Sequence, residues 1–267
     1  MKISVIGAGN MARAIIGAVA KSGRMSADIF CAYDKFPEAL NEAKKLGAKV
    51  TSDLSEALDR ADFVLFSVKP QDLDEVIAEV KSSCADFDKK IYVTICAGIS
   101  TQYICNALGK DVPVIRVMPN APIMVGAGAT AISRNSLVSD KSFSKICGIF
   151  SFGGEVASIP EAQMNAIISV NSSSPAYFYE FIRVMIEYAK EQGIDEKVAR
   201  SMAQNAMLGA AKMLKSTDKS PEELIAMVKS KKGTTEAALN VFADSNLEGT
   251  IKKAMDACTK RAEELGK

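Results

Sequence analysis

The chain has 267 residues, of which 48% are hydrophobic and 24% are charged, a composition typical of a globular protein with one large or two modest domains. Its formal net charge of +1 gives no electrostatic basis for binding nucleic acid or a membrane surface. The sequence has neither an apolar run near the ~20 residues that span a bilayer nor a secretory leader pattern, which predicts a cytoplasmic protein.

The chain contains six cysteines, without C-x-x-C spacing, and no histidine. These cysteines are expected to be free thiols in a reducing compartment, and no metal site is predicted. Because histidine is the commonest general base and zinc ligand, any chemistry must proceed without an imidazole.

The amino-terminal segment predicts a dinucleotide site. An apolar run at residues 3–6 is typical of a buried parallel strand, and G-x-G-x-x-A follows at residues 7–12 before a helical pattern. Gly7 would permit the tight turn, Gly9 would let a pyrophosphate approach the backbone, and Ala12 would let the helix pack on the strand. The helix N-terminus would add N–H donors and a favourable dipole.

A second strand is expected at residues 28–33, ending at Asp34 and Lys35, about 20 residues beyond the glycine turn. An acidic side chain here accepts hydrogen bonds from a ribose diol and favours NAD, whereas a cation beside it can pair with the 2′-phosphate of NADP. The sequence offers both and leaves the choice between NADH and NADPH open.

Further strands are predicted at residues 49–50, 63–68, 91–95 and 114–118, alternating with helices that include 37–46 and 72–81. Such alternation indicates βαβ units and a doubly wound parallel sheet. Residues 127–133 and 155–159 are expected to form short added strands that flank a helix near 141–150.

From residue 161 onward the pattern predicts only helices, at 162–170, 174–191, 195–215, 221–228, 235–242 and 247–265. The predicted fold class is therefore α/β, with an N-terminal Rossmann domain at 1–160 and an all-α domain at 161–267. The segment 174–214 carries apolar residues on more than one helix face, which suggests a subunit interface.

Seven segments of the chain together resemble the pyrroline-5-carboxylate reductase family. In the family's order they are the glycine turn at residues 6–12, S-V-K-P-Q at 67–71, A-G-I at 97–99, R-V-M-P-N-A-P at 116–122, S-P-A-Y at 174–177, L-G-A-A-K-M-L at 208–214 and G-T-T at 233–235. The first segment is common to many dehydrogenases, whereas the later ones together are specific.

The resemblance implies an NAD(P)H-dependent oxidoreductase that reduces the cyclic imine 1-pyrroline-5-carboxylate to L-proline, the last step of proline biosynthesis. Because the imine nitrogen can be protonated before hydride attack, a dedicated acid is not obligatory, which suits a chain without histidine. The resemblance also implies a homodimer, or a larger ring of dimers, with an all-α dimerisation domain.

The resemblance assigns Thr235 as the catalytic residue that hydrogen-bonds near the imine nitrogen. It places the substrate carboxylate at a helix N-terminus matched by Ser230, Gly233, Thr234 and Thr235, with Glu161 as a substrate-side carboxylate. The implied cofactor-binding residues are Ile6, Gly7, Ala8, Gly9, Asn10, Met11, Asp34, Lys35, Ser67, Val68, Lys69, Pro70, Cys96, Ala97 and Gly98.

Two loops depart from the family pattern. Ser230-Lys231-Lys232-Gly233 stands where family members usually have S-P-G-G, and residues 171–174 (N-S-S-S) stand where they usually have S-G-S-G. A side chain in place of glycine can fill space or demand a disfavoured φ. Two alternatives therefore stay open: a reductase of another imine or 2-oxo acid, and a nucleotide-binding regulator without catalysis.

Overall fold

The computed structural model describes residues 1–59 and 61–266. Its centre is an eight-stranded sheet in the order β3-β2-β1-β4-β5-β6-β7-β8. The strands are β1 (Ile3–Ile6), β2 (Phe30–Tyr33), β3 (Lys49–Thr51), β4 (Phe63–Phe66), β5 (Ile91–Thr94), β6 (Val114–Met118), β7 (Gly128–Arg134) and β8 (Gly154–Ser158). All neighbouring strands are parallel except β6 and β7, which are antiparallel.

The helices that accompany the sheet are α1 (Asn10–Ser22), α2 (Pro37–Lys45), α3 (Leu54–Leu58), α4 (Leu73–Ser83), α5 (Thr101–Leu108) and α6 (Asp140–Ser151). Because successive side chains of a strand point to opposite faces, β1 and β4 supply two cores. Val5 and Leu65 belong to the cluster with α1 and α2, whereas Ile6 and Phe66 belong to the cluster with α4 and α5. This arrangement confirms the predicted Rossmann sheet.

The second half is helical, as expected, with α7 (Ser174–Glu191), α8 (Glu196–Ser216), α9 (Pro221–Val228), α10 (Thr234–Asp244) and α11 (Leu247–Leu265). Helix α9 begins with a complete capping box, in which Ser220 and Glu223 satisfy each other's backbone N–H groups. Among the residues with described coordinates, no helix is long and apolar enough to cross a membrane.

The prediction of a regular helix at residues 162–170 is wrong. A 3₁₀ turn at Glu161–Gln163 is followed by a π-helical segment at Ile168–Ser172. At the end of that segment, Asn171 is buried and its Nδ2 donates to the carbonyls of Met118 (2.8 Å) and Ala129 (3.0 Å). Side-chain bonds to β6 and β7 accompany the wider turn, and helical spacing in the sequence does not reveal them.

The chain forms two compact units. The first comprises Met1–Pro175 together with the residues from Asp256 onward, and the second comprises Ala176–Met255. Residues 161–175 belong to the same compact unit as the sheet, because Met164 and Ile168 form a buried cluster with Met118, Ala131 and Ala262. The boundary between the two predicted domains, after residue 160, stays a prediction.

Candidate functional site

The glycine turn joins β1 to α1 at the carboxyl end of the sheet. Gly7 has φ +96°, and a Cβ built on it would lie 2.7 Å from the Ser67 carbonyl oxygen and 2.9 Å from Cγ1 of Val68. Glycine is therefore required at this position both by the backbone conformation and by the approach of the segment after β4. The same contact places Ser67 and Val68 beside the turn.

The N-terminus of α1 is open. Gly9 is exposed, and a Cβ built on it would meet nothing within 4 Å among the described residues. The N-cap makes no side-chain hydrogen bond, so the first-turn N–H groups remain available, while Ala12 is fully buried against the sheet. Ile6 and Ala8 are also buried, so only their backbone can border a ligand. These features fit a pyrophosphate.

Asp34 supports this turn from the end of β2. Its Oδ2 accepts a hydrogen bond from the Ala8 N–H at 2.7 Å, and its Oδ1 accepts one from the Phe36 N–H at 2.9 Å. Lys35 points to other partners: its Nζ lies 2.9 Å from Oε1 of Glu75, and this hydrogen bond, with a second one to Glu79, raises the pKa of Lys35.

The remaining predicted cofactor residues follow β4 and β5. Lys69 is exposed and precedes the 3₁₀ turn at Pro70–Asp72. Cys96 is buried, and its Sγ donates to the Val68 carbonyl at 3.3 Å. Burial raises the pKa of Cys96 to about 11, so the thiol stays protonated at neutral pH. Its side chain ties the two loops together.

The backbone of Gly98, in the loop after β5, packs closely against the end of the chain. Its φ is +83°, and a Cβ built on it would lie 2.2 Å from the Ala262 carbonyl oxygen and 3.0 Å from the Gly266 nitrogen. The carboxyl end of α11 thus packs directly on the loop after β5. The first unit brings the predicted cofactor residues together at the carboxyl ends of β1, β2, β4 and β5, where ligands bind in open α/β sheets.

Glu161, predicted as a substrate-side carboxylate, is held by neighbours that the sequence did not indicate. Its carboxylate accepts hydrogen bonds from the Thr101 N–H (2.6 Å) and the Thr101 hydroxyl (2.5 Å). Arg116, which is 2% exposed, places Nη1 4.0 Å from Oε1 of Glu161 and donates to Asn165 at 2.5 Å. Burial lowers the pKa of Arg116, and the Glu161 charge opposes that shift.

The predicted substrate loop lies in the second unit, before α10. A Cβ built on Gly233 would lie 2.2 Å from the Ser230 hydroxyl and 3.0 Å from the Ser230 carbonyl oxygen, so a larger residue here would force the Ser230 side chain to move. Lys232 has φ +64°, and its N–H donates to Oε2 of Glu236 at 2.6 Å. Of the two effects that a side chain in place of glycine can have in this loop, Lys232 shows the disfavoured φ.

The N-terminus of α10 makes no side-chain capping bond, and Gly233 stands at the N-cap. Thr234 is exposed and Thr235 is half-buried at this end. The first-turn N–H groups and the Thr235 hydroxyl are therefore grouped at one helix end, an arrangement that can hold a carboxylate. Ser230, Gly233, Thr234 and Thr235 lie together at this helix end, and their role in binding substrate stays a prediction.

One departure in the second altered loop, Asn171, has a structural explanation. Besides its bonds to β6 and β7, Asn171 accepts a hydrogen bond at its carbonyl from Nδ2 of Asn120 at 3.0 Å. Ser173 and Cys258 place their side-chain oxygen and sulfur 3.3 Å apart. The asparagine at this position thus links the π-helical segment to the sheet.

Family models match both halves of the chain. A model described as pyrroline-5-carboxylate reductase dimerisation matches residues 161–265, and one described as NADP oxidoreductase coenzyme F420-dependent matches residues 2–98. Among curated relatives, the pyrroline-5-carboxylate reductase of Escherichia coli is 33% identical and that of Vibrio alginolyticus 34% identical. Each alignment covers 100% of this chain and 98% of the relative.

Solved structures agree in fold. A pyrroline-5-carboxylate reductase from Coxiella burnetii superposes with a TM-score of 0.88 at 32% identity, covering 100% of this chain and 98% of that chain. A Plasmodium falciparum pyrroline carboxylate reductase with NADP bound gives a TM-score of 0.91 at 22% identity with the same coverage. The second similarity, at its low identity, supports the fold alone.

Proposed function

The chain belongs to the pyrroline-5-carboxylate reductase family, and from this premise we propose that it reduces 1-pyrroline-5-carboxylate to L-proline with NADPH or NADH. The observation that carries the proposal is the loop before α10. There, Gly233 allows the Ser230 hydroxyl to approach the backbone, and Thr235 stands in the open first helical turn. The full-length similarity to reductases supports the substrate.

The residues present fit the dinucleotide that the family implies. The N–H groups at the start of α1 would hold its pyrophosphate beside Gly9, and Asp34 and Lys35 stand where an adenosine ribose is expected. The segments at Ser67–Pro70 and Cys96–Gly98 would border the nicotinamide half. When bound, the reduced nicotinamide supplies the hydride.

For the substrate, we propose that the N–H groups at the start of α10 bind the carboxylate. The Thr235 hydroxyl would then hydrogen-bond near the imine nitrogen, which arrives already protonated from solution. These residues would orient the imine carbon and exclude alternative poses, which is the main contribution that a protein makes to such a reaction. We also propose Glu161 as a substrate-side carboxylate, which its hydrogen bonds from Thr101 at the start of α5 hold in place.

We further propose that residues 161–267 form a dimerisation and substrate-binding domain, and that the cytoplasmic enzyme assembles as a homodimer or a ring of dimers. A related imine or 2-oxo acid reductase is the second candidate. It is favoured by Lys231 and Lys232, which are exposed beside the α10 N-terminus and add positive charge there.

The test is the loss of nicotinamide absorbance on mixing the purified chain, NADH or NADPH, and 1-pyrroline-5-carboxylate. Rapid oxidation with proline as the product is expected. In one alternative outcome, the chain binds nucleotide but does not oxidise it with this imine, and it reduces another imine or a 2-oxo acid from a panel. That outcome would favour the second candidate. Nucleotide binding without turnover of any substrate would indicate a regulator.

A further inference from the structure

The side chain that could recognise a 2′-phosphate is bound to two carboxylates. Lys35 Nζ lies 2.9 Å from Oε1 of Glu75 and 3.1 Å from Oε1 of Glu79. Because Glu75 and Glu79 are four residues apart on α4, they occupy the same face of the helix and reach the same ammonium. Two charge-assisted hydrogen bonds would have to be replaced before Lys35 paired with a phosphate.

The charged side chains between the end of β2 and α4 are mainly negative. The three carboxylates of Asp34, Glu75 and Glu79 outnumber the single ammonium of Lys35. Tyr33, the last residue of β2, has its pKa raised by burial and by the nearby Glu79 carboxylate. Arg13 on α1 donates to Asn10 at 2.5 Å. A group that carries about two negative charges is therefore disfavoured at this position.

Asp34 itself is preorganised for a neutral diol. Its two carboxylate oxygens are fixed by the N–H groups of Ala8 and Phe36, yet each oxygen has a second lone pair. Ribose hydroxyls can donate to these lone pairs. A 2′-phosphate has no hydroxyl to donate in its charged form and would be repelled by the carboxylate.

We propose that the chain selects NADH over NADPH, and that Glu75 and Glu79 determine this choice by holding Lys35 in an ion pair on α4. Asp34 contacts the ribose, whereas Glu75 and Glu79 act indirectly through Lys35. The inference deepens the proposed function and rests on its dinucleotide site, but it does not depend on which imine is reduced.

The test is equilibrium titration of the full chain with NADH and with NADPH, without substrate, followed by isothermal calorimetry or nicotinamide fluorescence. The unmodified chain should bind NADH about tenfold more tightly, the size of one lost charge-assisted contact. In Glu75→Gln/Glu79→Gln, the Kd for NADPH should fall about tenfold, because Lys35 is released, and the Kd for NADH should change by less than about twofold.

Two further variants make the test specific. Adding Lys35→Met to the double variant should remove the gained NADPH affinity, because the ammonium is the group that the substitutions release. Asp140→Asn removes an exposed carboxylate that pairs with Arg134, the last residue of β7, at the other side of the sheet. This control should leave the ratio of the two dissociation constants unchanged. Thermal melting confirms that each variant is folded.

Tighter binding of NADPH by the unmodified chain would overturn the inference, as would an unchanged ratio in the folded double variant or an equal shift in Asp140→Asn. Selective NADH binding without reduction of 1-pyrroline-5-carboxylate would contradict the proposed reaction and leave the nucleotide choice intact. Reduction of the imine with preference for NADPH would support the proposed reaction and contradict the nucleotide choice. Failure to bind either nucleotide would overturn both.

Discussion

Lys232 has φ +64°, a left-handed conformation in which an L side chain is disfavoured. The loop nevertheless keeps this conformation, with the Lys232 N–H bound to Glu236. Lys232→Gly should therefore raise the free energy of unfolding by about 0.5–1 kcal/mol, since relief of the backbone strain exceeds the added entropy of the unfolded chain.

Thermal or urea unfolding at matched protein concentration measures this change. Lys231→Gly is the matched control, because Lys231 is a neighbouring exposed lysine without positive φ. Glycine should destabilise the chain there. Equal effects of the two substitutions would show that the left-handed conformation stores no strain.

Thr235 is the residue on which the proposed chemistry depends most directly. Thr235→Ala should lower turnover by about 10²-fold, because the hydroxyl that accepts a hydrogen bond from the protonated imine nitrogen and orients the substrate is lost. The affinity for NADH should stay near its original value, and Thr235→Ser should retain most of the activity. Turnover that survives in the alanine variant would remove Thr235 from the mechanism, and parallel loss of nucleotide binding would indicate a disturbed fold.

At the scale of elements, Glu161 links the start of α5 to β6 through Thr101 and the buried Arg116. Glu161→Gln leaves the Arg116 guanidinium without its nearby countercharge, so we expect a loss of about 1–3 kcal/mol in unfolding free energy. Urea unfolding provides the measurement. Glu42→Gln, which breaks an exposed pair with Lys45, should have no measurable effect. Similar results for the two variants would show that the Arg116 interaction is not stabilising.

The same elements show what the sequence could predict. The apolar runs of β1, β4 and β5 and the spacing of Gly7, Gly9 and Ala12 are local signals, so they predicted the Rossmann sheet and the glycine turn. The partners of Lys35, Glu161 and Asn171 lie 40 to 60 positions away in the sequence, where no periodicity reports them. For the same reason the sequence pattern predicts a regular helix where the structure has a π-helical segment.

At the scale of the whole molecule, the second unit exposes many large apolar side chains. They include Phe178, Tyr179, Phe181, Val184, Met185 and Tyr188 on α7, and Val198, Met202, Leu208, Met213 and Leu214 on α8. None of the residues of α7, α9 or α10 is fully buried. Apolar surface on this scale marks an interface, and the matched dimerisation family supports a second copy as the partner.

We therefore expect the purified chain to elute as a dimer or a multiple of dimers in size-exclusion chromatography with light scattering. Met202→Asp should shift the mass toward the monomer and lower the melting temperature, because it places a charge in the apolar face of α8. Gln204→Asp adds the same charge about 200° around the helix and should change neither property. An unmodified chain that stays monomeric would contradict the proposed assembly.

The contact of Gly98 with Ala262 and Gly266 also bears on how the protein is made. The first compact unit is discontinuous in sequence, because its α11 segment follows the whole of the second unit. During vectorial synthesis the amino-terminal strands can pair early. The loop after β5, however, can acquire its α11 contact only after the intervening helices have left the ribosome. The nucleotide-binding unit would therefore be completed late, and binding of nicotinamide dinucleotide by nascent chains of increasing length would report that moment.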